Sequence, residues 1–144
     1  MARILCVEDE PDIREEIVEE LVACGHTVAE APNGLIGLQV AVDFKPDIIL
    51  CDCLMPTMTG PAMIQALRER YPAFASTPVV LLSAYSDQSH LDEAQAAGAT
   101  AYLRKPMDFD ELEFVLRSLL GEGEATAGDD RDCHAVPIAP GIKT

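Results

Sequence analysis

The segment PDIILCDCLMP, residues 46–56, decides how the chain must fold. Ile48, Ile49, Leu50 and Cys51 run without a break into Asp52, and Cys53 follows directly. Successive side chains of a strand point to opposite faces. A run that is apolar at every position therefore suits a strand covered on both sides, as in the middle of a parallel sheet. The segment PVVLLSA, residues 78–84, has the same character and carries Ser83 and Ala84 at its end. A charge closing the most apolar run of the chain asks for a reason. The cysteines beside it could be soft-metal ligands, redox partners or packing.

Outward from this segment, short apolar runs predict strands at RILCV (3–7), HTVAEA (26–31) and TAYLR (100–104). Helical spacing falls between them. Ile13, Ile17 and Leu21 share one face of PDIREEIVEELVACG, with glutamates on the others and Cys24-Gly25 as a stop. Asp12 is read as this helix's cap and Glu10 as charge at its terminus. Asn33 is placed to cap GLIGLQVAVDF, ending near Phe44. GPAMIQALRERY (60–71) is a helix, SDQSHLDEAQAAGA (86–99) is a marginal one with few large apolar anchors, and DFDELEFVLRSLL (108–120) aligns Leu112, Leu116 and Leu119. Strand, loop and helix thus repeat five times. This is the pattern of an α/β fold with an open, mostly parallel sheet and helices on both faces. Periodicity does not give the strand order.

Residues 1–120 are expected to form one domain. From Gly121 the composition turns to Gly, Ala, Asp and Pro without a period, so 121–144 is read as a flexible tail, too short for an output domain, on a stand-alone chain. The formal net charge is -15, and 20 of the 25 acids lie in residues 1–120. Such a surface repels nucleic acid and anionic membranes. No apolar run is long enough to span a bilayer, and MARILCVEDE lacks the layout of a signal peptide. Five irregularly spaced cysteines fit a reduced, cytoplasmic setting.

Ligands of open parallel sheets bind at the carboxyl ends of the strands. Those ends carry Glu8, Asp9 and Glu10, then Asp52, then Ser83 and Ala84, then Arg104 and Lys105. Clustered carboxylates repel unless something positive sits among them. Oxygen donors without histidine suit Mg²⁺, which shares its shell readily with phosphate oxygens. A lysine supplies a second positive charge for the same phosphate. A carboxylate can itself attack phosphorus to form an acyl phosphate. Asp52 has poor credentials as a helix cap, because Pro56 intervenes before the next helix. The constellation reads as a phosphoryl-accepting aspartate. A cis Lys105–Pro106 peptide, aiming the lysine over the sheet edge, is a further expectation.

ILCVEDEPDIRE (4–15), PDIILCDCLMPTMTG (46–60), PVVLLSAY (78–85) and GATAYLRKPMDFDEL (98–112), in this order and spacing, resemble the receiver domain of two-component response regulators over residues 3–120. The resemblance implies a doubly wound (βα)5 fold with strand order 2-1-3-4-5. It implies Asp52 as phosphoacceptor. Mg²⁺, or Mn²⁺ in its place, would be held by Asp9, Asp52 and the backbone carbonyl of Leu54, with Glu8 acting through water. Lys105, Ser83 and the backbone N–H of Ala84 would hold the phosphoryl group, and Ser83 and Tyr102 would form the switch, the ring turning from exposed to buried. The implied donor is a histidine kinase or a histidine phosphotransfer protein. The implied output is a change over residues 84–110, read by a downstream protein or by a second copy in a homodimer. The chain would then catalyse only its own phosphorylation and dephosphorylation.

Three departures stand out. Glu8 replaces the commoner aspartate. TMTG stands where GMDG is frequent. Leu54 and Tyr85, at the positions that tune acyl-phosphate hydrolysis, lack a group to orient water, so a long-lived phosphorylated state is expected. A phosphatase resembling the haloacid dehalogenase group would need an acid at position 54, and a receiver-like module that only binds would have lost the acceptor or the lysine. Cys51 is expected to pack under a helix. An exposed Cys53 thiol would be open to oxidation beside the acceptor.

Overall fold

The computed structural model describes residues 2–84, 88–105 and 108–120, together with the backbone of 136 and 137. In chain order the elements are β1 (Arg3–Val7), α1 (Pro11–Ala23), β2 (Thr27–Ala31), α2 (Gly34–Phe44), β3 (Ile48–Asp52), α3 (Gly60–Arg70), a 3-10 turn (Pro72–Phe74), β4 (Val79–Ser83), α4 (Gln88–Ala97), β5 (Ala101–Arg104), α5 (Phe109–Leu120) and β6 (Val136–Pro137). Five parallel strands lie in the order β2-β1-β3-β4-β5, as the resemblance implied. The two-residue β6 adds antiparallel to β5, a pairing that sequence periodicity did not suggest.

The two-residue period of the strands sorts the core into two halves. Leu5, Val7, Ile49, Cys51, Val79 and Leu81 pack with Leu38 and Ala41 of α2, Met63, Ile64 and Leu67 of α3 and Ala94 of α4. Ile4, Cys6, Ile48, Leu50, Val80 and Leu82 pack with Ile17 and Leu21 of α1 and Leu112, Val115 and Leu116 of α5. Every residue of β3 and of β4 is buried, which explains why these two runs are apolar throughout. The helix after β1 therefore leaves to one face and the helix after β3 to the other. The crevice between these adjacent strand ends is where such folds bind ligands.

Local chemistry sets the ends of the elements. Asn33 Oδ1 accepts a 2.9 Å bond from the Ile36 N–H and starts α2, as its sequence position suggested. Asp12 is not a cap. Pro11, pre-set for helical φ and without an N–H to satisfy, opens α1; Glu10 takes the cap position without a side-chain bond, and Asp12 lies inside the first turn. Helix α4 buries only Ala94 and Ala97 fully, so its hold on the sheet is weak, in line with its few large apolar residues. Among the described residues no helix is long and apolar enough to cross a membrane.

Arg68, near the end of α3, fastens the elements around α4. Its Nη1 donates to the carbonyls of Phe74 (2.6 Å) and Thr77 (2.7 Å), and its Nη2 to that of Gly98 (2.9 Å), in the turn after α4. Arg68→Met keeps much of the apolar stem and leaves three carbonyls without this donor. It is expected to lower unfolding stability by about 2 kcal/mol, read as a reduced midpoint at unchanged slope in urea denaturation.

Candidate functional site

Each side chain at the sheet edge is placed by backbone that the strands already determine. Glu8 continues β1 for one residue, and its N–H donates to Ala31 of β2 (3.1 Å). Its carbonyl accepts from Arg14 Nη1 (2.8 Å), while Arg14 Nε pairs with Glu30 (3.0 Å). The Glu8 side chain is fully buried, and Oε2 accepts a 3.3 Å bond from the Glu10 N–H. Asp52 is the last residue of β3, buried, on the sheet face opposite to Cys51. Carboxylate oxygens of Glu8, Asp9 and Asp52 come within 4.8 Å of one another. Lys105, just beyond β5, is brought to the same edge by its N–H bond to the Ser83 carbonyl (2.8 Å). Its Nζ lies 2.6 Å from Asp52 Oδ1 and 3.3 Å from Glu8 Oε1.

Burial dominates the electrostatics. It raises the Glu8 carboxyl above its ordinary range, Asp52 adds to the rise, and Lys105 opposes it. Burial likewise raises Asp52, while the hydrogen bond and charge of Lys105 hold it down. For Lys105 burial favours the neutral amine, but Asp52 and Glu8 outweigh it and the ammonium is held above its ordinary range. One cation thus serves two buried carboxylates, with a third, half-buried one at the mouth. The donor set is oxygen alone and carries excess negative charge. It is a buried acidic cluster able to coordinate a hard divalent cation.

The remaining residues fall around this centre. Ser83 ends β4, buried. Leu54 follows in the loop with its side chain about half exposed (51%), and Ala84 is exposed. Tyr102 is buried on the α2–α3–α4 side, the inward of the two positions expected for it. Tyr85 and the Lys105–Pro106 peptide lie outside the described residues. Cys51 packs under α3, 3.9 Å from the Met63 sulfur. The exposure that oxidation of Cys53 would need is not found: the residue is buried (3%). Its thiol is pushed up by burial and by the charges of Glu93 and Asp52, with Ser83 opposing through a side-chain hydrogen bond. The described cysteines are all free thiols.

Sequence reading gave no site-building role to three residues that build the site, although the TMTG loop was singled out as a departure. Arg14 ties α1 to the carbonyl of Glu8. Thr59 Oγ1 caps α3 by accepting from the Ala62 N–H (3.2 Å), which gives the TMTG loop a structural reason. Gly60 lets α3 close on Asp52. Its N–H donates to the Cys53 carbonyl (2.8 Å), and a Cβ there would lie 2.5 Å from the Asp52 carbonyl oxygen and 2.7 Å from Leu81 Cδ2. A Thr-x-x helix-start pattern with a following Gly-Pro was the available signal.

The family model for the response regulator receiver domain matches residues 4–117. The regulatory protein AtoC of Escherichia coli K12 is 36% identical over 118 residues, which are 82% of this chain and 25% of AtoC. The KDP operon transcriptional regulatory protein KdpE of the same strain is 38% identical over 130 residues, 90% of this chain and 56% of KdpE. The chain thus spans from a quarter to about half the length of these curated relatives. Among solved structures, the Vibrio cholerae chemotaxis protein CheY4 superposes with a TM-score of 0.80 at 32% identity, covering 83% of this chain and 99% of that one. The receiver domain of sensor histidine kinase PA1611 from Pseudomonas aeruginosa, with a magnesium ion coordinated in its active site cleft, gives 0.77 at 28% identity over 84% and 98%.

The raised carboxyls have a consequence for stability. A carboxyl whose folded pKa exceeds its unfolded one makes the folded state the better proton binder, so its stability is greatest below the unfolded value and is lost as pH rises through the folded one. The unfolded references are 3.8 for Asp52 and 4.5 for Glu8. In EDTA, Asp52→Asn is expected to melt above the parent at pH 7, with the advantage shrinking towards pH 4. Thermal melts across that range check this; a variant less stable than the parent at pH 7 contradicts it.

Proposed function

The chain belongs to the response regulator receiver domain family, and on that premise we propose that it is a phosphoryl-accepting signalling switch with Asp52 as acceptor. The observation that carries the reading is the 2.6 Å contact between Lys105 Nζ and Asp52 Oδ1 within a cluster of three carboxylates at the carboxyl edge of the sheet. A carboxylate paired so closely keeps its oxygen ionised and oriented. The same ammonium is placed to follow negative charge onto an arriving phosphoryl group.

In the proposed reaction an Asp52 oxygen attacks the phosphorus of a phosphohistidine on a histidine kinase or phosphotransfer protein. The O–P bond forms as the P–N bond breaks, and the donor ring, protonated beforehand on its other nitrogen, leaves as neutral imidazole. Lys105 turns from Asp52 Oδ1 to a phosphoryl oxygen, keeping Glu8 as its second partner. The Ser83 hydroxyl and the Ala84 N–H, at the end of β4, would take further phosphoryl oxygens. Asp9, Asp52 and the Leu54 carbonyl, with Glu8 through water, would hold Mg²⁺ or Mn²⁺; the oxygen-only, over-negative donor set supports this. Bound there, the ion supplies positive charge to the transferring phosphoryl group. The magnesium in the cleft of the similar PA1611 receiver domain supports the same assignment.

Output would leave through Ser83 and Tyr102 to residues 84–110, where α4 is the least anchored helix. A downstream protein or a second copy would read that face. An aspartyl phosphatase is disfavoured, because Leu54 offers no acid to protonate a leaving group. The partly exposed Leu54 side chain also offers no hydrogen bond to an attacking water, which supports slow loss of the phosphoryl group.

With a small phosphodonor and Mg²⁺, the parent is expected to gain one phosphoryl group by intact-mass measurement, and Asp52→Ala none. Lys105→Met should react on the order of a hundredfold more slowly. Mg²⁺ alone should raise the melting temperature of the parent and much less that of Asp9→Asn, a readout of binding without chemistry. Leu54→Asn should shorten the lifetime of the phosphorylated form. Labelling that survives Asp52→Ala would refute the acceptor assignment.

A further inference from the structure

Strand β5 is the outer parallel strand of the sheet, and its free side is taken by residues 136–137 of the same chain. The pairing sets Tyr102 against Val136 and Ala101 against Pro137, antiparallel. Two independent facts determine which backbone groups meet. The Lys105 N–H donates to Ser83 of β4, so by alternation Leu103 and Ala101 also turn their backbone groups towards β4, and those of Tyr102 face outward. Antiparallel pairs alternate between those that exchange both N–H···O bonds and those that exchange none. Pro137 has no N–H and fits only the second kind, which leaves Tyr102 and Val136 as the exchanging pair. Sheet geometry and tail sequence therefore agree on one register.

Charge selects the same part of the tail. Its five acids all lie within residues 122–132, whereas CHAVPIAPGI, residues 133–142, contains none. On a body this acidic, the uncharged stretch is the part of the tail that meets no repulsion at the sheet. Twelve residues, 121–132, lie between it and α5, a length that at about 3.3 Å per residue can exceed the width of a sheet. Tethering of this kind gives an effective concentration of about a millimolar, enough to sustain a short and weak pairing.

We propose that the Val136–Pro137 segment is a built-in cover for the open edge of β5, with Val136 as the residue that closes it. Edge strands offer unpaired backbone groups to any extended segment. Here the occupant is intramolecular, and a partner that docks on β5 by strand addition has to displace it. Tyr102 sits at the covered position, so the cover lies directly on the strand that carries the buried aromatic ring. The device stands independently of the chemistry at Asp52.

The test is residue-resolved amide hydrogen exchange on the full-length chain. Val136→Pro removes the N–H that the pairing uses, whereas Val136→Ala keeps it. The Tyr102 amide is expected to exchange on the order of tenfold faster in the proline variant and close to the parent rate in the alanine variant. The Leu103 amide, which faces β4, serves as an internal control and should not change. A Tyr102 amide that exchanges equally fast in parent and proline variant overturns the proposal. So does equal acceleration at Leu103, which would report a loosened sheet in place of an opened edge.

Discussion

The structure depends on burying carboxylates at the end of a strand that has no wet side. Glu8 and Asp52 close β1 and β3, two adjacent strands whose following helices leave to opposite faces. Ionised oxygens at such a position are costly, and among the described residues the ammonium of Lys105 pairs with both, while the Glu10 N–H donates to Glu8. The excess of negative charge leaves the edge ready for a positive ion. The apolar runs before Asp52 and Ser83 are part of this arrangement: they hold the strand ends in place, so the polar atoms at the edge inherit the precision of the core.

Rigidity is distributed unevenly around that edge. The loop after Asp52 is tight on both sides, closed by the Gly60 bond to Cys53 and by the Thr59 cap of α3. Across the sheet, α4 fastens itself with alanines and with the Arg68 bond to Gly98 in the turn behind it. A local event at the strand ends therefore meets firm structure at β3 and yielding structure beyond β4. That asymmetry favours movement of the α4–β5 region over movement of the acceptor. The β6 segment adds a further layer on the same side, held by backbone bonds to one edge strand.

The cysteines show how a suggestive pattern dissolves in three dimensions. Cys51 and Cys53 flank Asp52 in sequence, yet β-strand alternation sends Cys51 to the far face against Met63. Cys53 is buried and its thiol is raised, so both the soft-metal and the exposed-thiol readings lose their footing. The acid between them belongs to the buried carboxylate cluster, and they serve as small apolar filling.

Much of this was legible in the chain itself, because burial on two faces and on one face leave different periods. The runs at 48–51 and 79–82 announced central parallel strands, Asn33 announced the start of α2, and the acids at the strand ends announced a cluster able to coordinate a divalent cation. What local pattern could not supply was anything set by contacts between distant segments; the strand order was expected from the family resemblance alone. Strand order arises from crossovers, and only that order puts Asp52 between Glu8 and Lys105. The closeness of Gly60 to the Asp52 carbonyl, the reach of Arg14 and Arg68 to remote carbonyls and the return of Val136 to β5 are likewise invisible to local pattern. Composition and period are properties of neighbours along the chain. Register, proximity and raised carboxyl pKa values are properties of neighbours in space, and only the folded sheet decides them.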